Sequence, residues 1–115
     1  MGRPQKPATP EAMGTLDLLI LGRLARGAMH GFGIAEYLHE VTDDLLKIEE
    51  GSLYPALHRL EAQGLIASEW GVSDNNRRAR FYALTPRGRK RISVEATNWR
   101  RLTDAIGRVI DPLAE

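Results

Sequence analysis

The residues of this 115-residue chain able to do chemistry are three histidines, a run of arginines, and a tyrosine and proline beside a serine. His30, His39 and His58 stand on separate stretches, none with a second histidine at i, i+3 or i, i+4, so no histidine metal site is expected. The acidic residues Glu36, Glu40, Asp43, Asp44, Glu49 and Glu50 read as a solvated face rather than a cation site. Cysteine is absent, which excludes disulfides, thiolate metal sites and thiol catalysis. No glycine-rich phosphate loop and no Ser/His/acid constellation stands out, so neither an enzyme nor a cofactor is expected.

What remains is recognition chemistry. The net charge is only +1, but the charges are unevenly placed. Residues 1–76 hold six Lys/Arg against eleven Asp/Glu, and residues 77–115 hold ten against four. Seven basic residues fall between Arg77 and Arg91 with no acidic residue among them: Arg77, Arg78, Arg80, Arg87, Arg89, Lys90 and Arg91. Such a stripe suits a polyanion, and it also suits a solvated surface. No apolar run approaches the ~18 residues that span a bilayer. The N-terminus lacks an apolar signal core, so a cytoplasmic protein with no membrane role is the expectation.

The elements that position these groups follow from spacing. Residues 1–12 hold three prolines and no apolar periodicity, and read as a flexible arm carrying Arg3 and Lys6. A helix is expected from Thr15, as N-cap, towards Gly27; its leucines cover more than one side, as in a buried or shared helix. A second helix, HGFGIAEYLHEVT, would bury Ile34, Ala35, Leu38 and Val41. Leu45–Ile48 suggests a short strand. IASEWGV and RARFYAL alternate with period two around the turn-rich SDNNR, giving a β-hairpin with a basic tip and with Trp70 on its apolar side, in the core. Thr85 and Pro86 then start a long helix to about Ile110.

Between the second helix and the hairpin lies EEGSLYPALHRLEAQGLI, where Leu53, Ala56, Leu57 and Leu60 recur at helical spacing despite Pro55. A proline in a helix interior costs roughly 3 kcal/mol, so the helix is expected to start late, with Ser52 as N-cap bonding to Tyr54. With the leucines inward, Tyr54, Pro55, His58 and Arg59 form two adjacent rows on the outer face.

Three helices followed by a hairpin make a winged helix-turn-helix: mainly α with a small β-hairpin, plus a long C-terminal dimerisation helix. The expected division is an arm over 1–12, a DNA-binding domain over 13–85 and a dimerisation helix over 86–115. The third helix would enter the major groove with Ser52, Tyr54, Pro55, His58 and Arg59, while Arg77, Arg78 and Arg80 of the wing meet phosphates. Arg87 to Arg91 suit either DNA or solubility, and their place at a helix N-terminus is electrostatically unfavourable. The last helix, ~37 Å long, carries Ile92, Trp99 and Ile106 seven apart, joined by Ala96 and Leu102. A domain of this size has a radius of gyration of only ~13 Å, so that seam calls for a second subunit.

The segments LDLLILGRLARGAMHGFGIAEYL, EEGSLYPALHRLEAQGLI and RARFYALTPRGR together resemble the PadR family of bacterial transcriptional regulators. The likeness covers nearly the whole chain from Thr15, and its end about thirty residues after the wing resembles the short-form members. It departs at Phe32, where the family more often has tyrosine. The resemblance implies a homodimer that binds a pseudo-palindromic operator in double-stranded DNA and represses a nearby gene. It also implies release by a small aromatic or drug-like ligand. On that reading Trp99 and its symmetry mate either pack at the dimer interface or flank an effector cavity. The alternative function is a winged-helix protein-protein interaction module without sequence-specific DNA binding.

Overall fold

A computed structural model describes residues 13–113; the arm expected over 1–12 lies outside the described residues. The order is α1 (Thr15–Leu24), β1 (Met29–His30), α2 (Gly31–Val41), α3 (Glu50–Ala62), β2 (Ile66–Val72), β3 (Arg78–Leu84) and α4 (Pro86–Ile110). One core holds it together: Ile20, Leu21 and Leu24 of α1, Ile34 and Leu38 of α2, the four inward residues of α3, and Leu65, Ile66 and Tyr82 at the hairpin base.

Helix starts differ from expectation in instructive ways. Gly14, not Thr15, is the N-cap of α1 and offers no side-chain bond. At α2 the cap is a histidine: His30 Nδ1 accepts from the Gly33 N–H at 3.0 Å. Val41, expected inside, is exposed at the end of that helix. Leu45–Ile48 forms no strand, because its N–H groups are taken from the side. Leu46 N–H donates to the Thr42 hydroxyl at 3.3 Å and Ile48 N–H to His39 Nε2 at 2.9 Å. The chain reaches that position through consecutive left-handed residues, Asp43 (φ 51°) and Asp44 (φ 60°), a conformation that aspartate tolerates better than most residues.

α3 starts earlier than Ser52. Glu49 is its N-cap in extended conformation, and its carbonyl accepts from both Ser52 N–H (3.0 Å) and Leu53 N–H (2.9 Å). Pro55 therefore lies inside the helix. The bond it cannot make would have gone to the carbonyl of Gly51, an exposed residue, where water can serve the orphaned oxygen. The helix closes at Gly64, whose φ of 77° is the left-handed exit expected of glycine.

The hairpin has the expected strands, with Ile66 facing Leu84, Ser68 facing Tyr82 and Trp70 facing Arg80. A third strand joins it: β1 pairs with β3 through Met29 with Tyr82 and His30 with Phe81, giving the order β1-β3-β2. Thr85 links the sheet to α4. Its hydroxyl accepts from Gly88 N–H at 3.0 Å and donates to the Gly64 carbonyl at 2.7 Å. Gly88 crosses the chain so closely that a Cβ there would overlap the Leu65 carbonyl oxygen. Beyond this crossing α4 runs outward, and the radius of gyration is 16.8 Å against ~13 Å for a compact chain of this length. No helix among the described residues is long and apolar enough to cross a membrane.

Candidate nucleic-acid interface

At about 100° per residue, the buried Leu53, Ala56, Leu57 and Leu60 define the inner side of α3. Opposite them stand Gly51, Pro55, His58 and Ala62, all exposed. This outer ridge is small, with one imidazole at its centre. Tyr54 lies on one flank and is 39% exposed. Its ring covers the start of α2, where a Cβ on Gly31 would be 2.7 Å from Tyr54 Cε1. Ser52 and Arg59 lie on the other flank and are exposed.

Arg59 is not unattended. Its Nη2 donates to Asp17 Oδ1 of α1, and its Nε to Oδ2 at 3.4 Å. The Nη2 contact is 2.6 Å, with Asp17 only 13% exposed. The carboxylate holds the guanidinium pKa above its already high ordinary value, through the hydrogen bond first and the charge second. Helical spacing puts Arg59 on the outer face but gives no sign of this partner. Asp17 is visible in the sequence as an acid in the first turn of α1, yet nothing local ties residues 42 positions apart.

On the Tyr54 flank a polar chain joins α3 to the wing. The Ser68 hydroxyl donates to Glu61 Oε2 at 2.8 Å and accepts from Arg80 Nε at 2.8 Å. The wing face above it carries Trp70, with the Arg78 and Arg80 guanidinium carbons 4.7 and 5.5 Å from its ring centroid. Trp70, expected in the core, is instead 55% exposed. Alternation does place it on the Ile66 side, but that side is covered only at the hairpin base. Towards the hairpin base Tyr82 is buried, and burial raises its phenol pKa, with the nearby Arg80 charge opposing. The tip is closed by Ser73 N–H on the Arg77 carbonyl and Asn76 N–H on the Ser73 carbonyl, both 2.8 Å, with Asn76 left-handed at φ 62°. The Arg77 side chain projects beside them, exposed.

The α4 residues separate into two groups. Ile92 packs against the core and Ala96 is half-buried. Trp99, Leu102 and Ile106 are 45–51% exposed, an apolar strip that the described residues leave half open to solvent. Among the described residues, no cluster of three or more His, Asp or Glu is placed to hold a metal ion.

Known proteins share this fold. Residues 20–94 match the Transcriptional regulator PadR-like family. The chain is 36% identical over 93 residues to Transcriptional regulator Rv3488 of Mycobacterium tuberculosis, covering 81% of this chain and 79% of that protein. It is 26% identical over 80 residues to the Negative transcriptional regulator PadR of Bacillus subtilis, covering 70% of this chain and 44% of that longer protein. Among solved structures it superposes on a PadR family transcription regulator from Clostridium difficile R20291. That match has a TM-score of 0.75 at 27% identity and covers 84% of this chain and 99% of the other. These are transcription regulators rather than enzymes, and the chain belongs to the PadR-like family of transcriptional regulators.

Proposed function

We propose that this regulator is a homodimeric, sequence-specific DNA-binding repressor. The observation that carries the proposal is the outer ridge of α3, exposed at Pro55, His58 and Ala62 and flanked by a wing carrying Arg77, Arg78 and Arg80. A helix of this width enters the major groove of double-stranded DNA, and wing guanidiniums reach the adjoining phosphates. His58 supplies hydrogen bonds to base edges, Pro55 apolar contact to a thymine methyl, and Ser52 and Tyr54 further hydroxyls. Residues 13–85 would then form the DNA-binding unit and α4 the dimerisation helix, with 114–115 of the expected C-terminal unit outside the described residues.

The homodimer follows from the exposed strip on α4. Trp99, Leu102 and Ile106 leave water when a second α4 lies against them, and two symmetric domains then read a pseudo-palindromic operator. Repression is supported by the B. subtilis relative, named a negative regulator. In this reading a small aromatic or drug-like effector enters between the two Trp99 rings and changes the spacing of the α3 helices. Hydroxyl-radical footprinting on the DNA upstream of its own gene tests the proposal. Two protected half-sites one helical turn apart support it, and a single asymmetric patch or uniform cleavage rejects it.

A further inference from the structure

A second basic cluster lies on the flank of α3 away from the wing. Arg59 of α3 and Arg87 and Arg91 of α4 line one open groove of about 310 Å³, together with Asp17, Gln63 and the start of α1 at Gly14. Asp17 engages Arg59, and Arg91 Nε is paired with Glu95 at 2.8 Å. Arg87 makes no hydrogen bond or ion pair among the described residues, and its Nη1 lies over Gly64, 3.3 Å from where a Cβ would stand. Three guanidiniums thus share one groove with, among the described residues, a single lining carboxylate. The first turn of α4 holds no acidic residue, although a helix N-terminus favours acids and is weakened by cations. Helix stability therefore does not account for Arg87, which has no acidic partner among the described residues, but an anion in the groove does; Arg91 also braces α4 through Glu95 four residues on.

The occupant follows from where the groove sits. A helix seated in the major groove, about 12 Å wide, has a phosphate strand on each side. The wing covers one side, because Glu61 on that flank of α3 is joined through Ser68 to Arg80. Arg59 and Gln63 mark the opposite flank, and the groove opens beside them.

We propose that the Arg59–Arg87–Arg91 groove seats backbone phosphate of the DNA strand opposite the wing, and that Asp17 occupies Arg59 until DNA arrives. The inference rests on the DNA-binding reading above. In the free protein the Asp17 carboxylate stands in for the phosphate, so removing its charge strengthens DNA binding.

The test is fluorescence anisotropy of the full chain on a duplex of its own upstream DNA, over a salt series. Each lost phosphate contact flattens the slope of log K against log salt by about 0.9. R87Q/R91Q should flatten the slope by about 2 and weaken binding roughly tenfold or more near physiological salt. D17N should tighten binding severalfold and steepen the slope by about 1. R78A/R80A on the wing serves as the reference pair. A wild-type slope in R87Q/R91Q, with a flattened one in R78A/R80A, overturns the groove and leaves the DNA-binding reading intact. Unchanged slopes in both pairs overturn the DNA-binding reading itself. Phosphate-ethylation interference with the unaltered protein requires no variant to fold. Interference on both strands flanking the α3 footprint supports the groove, and interference on the wing side alone overturns it.

Discussion

The guanidinium of Arg78 lies over the indole of Trp70, 4.7 Å from its centroid, on a hairpin face that is open to solvent. Arg80 approaches the same ring at 5.5 Å. A large aromatic surface left 55% exposed contributes little to the core, but it restricts two long cationic side chains that would otherwise sweep through many rotamers. The tryptophan is therefore best understood as a platform that aims the wing.

Trp70→Ala should weaken DNA binding severalfold while leaving the melting temperature almost unchanged, and Trp70→Phe should keep most of the affinity. Anisotropy titration beside a thermal melt reads both quantities. A large fall in melting temperature with unaltered DNA affinity would place Trp70 in the core after all.

Gly88 governs the joint between wing and α4. Because a Cβ at this position would overlap the Leu65 carbonyl oxygen, Gly88→Ala must push α4 off the hairpin base. It also strains the Thr85 bonds to Gly88 and Gly64. Overpacking of this kind costs about 1–3 kcal/mol. A shift of the urea midpoint with an unchanged m-value is the expected signature, and a midpoint equal to wild type would contradict the close crossing.

The outward strip of α4 bears on assembly. Ile106→Asp places a charge among Trp99, Leu102 and Val109, all half or more exposed in the single chain. Sedimentation velocity should show dimer for the wild type and monomer for the variant, with far-UV circular dichroism little altered. A variant that remains dimeric would move the interface elsewhere.

The readable parts of this protein are those set by local periodicity or capping chemistry. The leucines of α3, the alternation of the hairpin, and Thr85 followed by Pro86 each act within a few residues, and each appears where expected. Where expectation and structure part, a distant group or the backbone decides. Strand β1 is two residues long and exists because the β3 edge at Phe81 and Tyr82 needs partners. Leu45–Ile48 has strand-like composition, yet Thr42 and His39 claim its N–H groups. Capping chemistry points to Ser52 as the start of α3, whereas the backbone begins the helix at Glu50 with Pro55 tolerated inside. The site divides in the same way. The exposed residues of α3 and the wing follow from spacing, but the Arg59–Asp17 pair and the joining of Arg59 to Arg87 and Arg91 depend on how three helices meet.

Sequence-specific DNA binding by a dimer is the activity proposed for this regulator. The most direct measurement is competition, with the labelled upstream DNA of its own gene challenged by unlabelled copies of itself and by a shuffled duplex at physiological salt. Two protomers per duplex are expected, with a preference for the native sequence of about a thousandfold or more. Equal displacement by both duplexes, or no complex even at low salt with the protein shown to be dimeric, would contradict it.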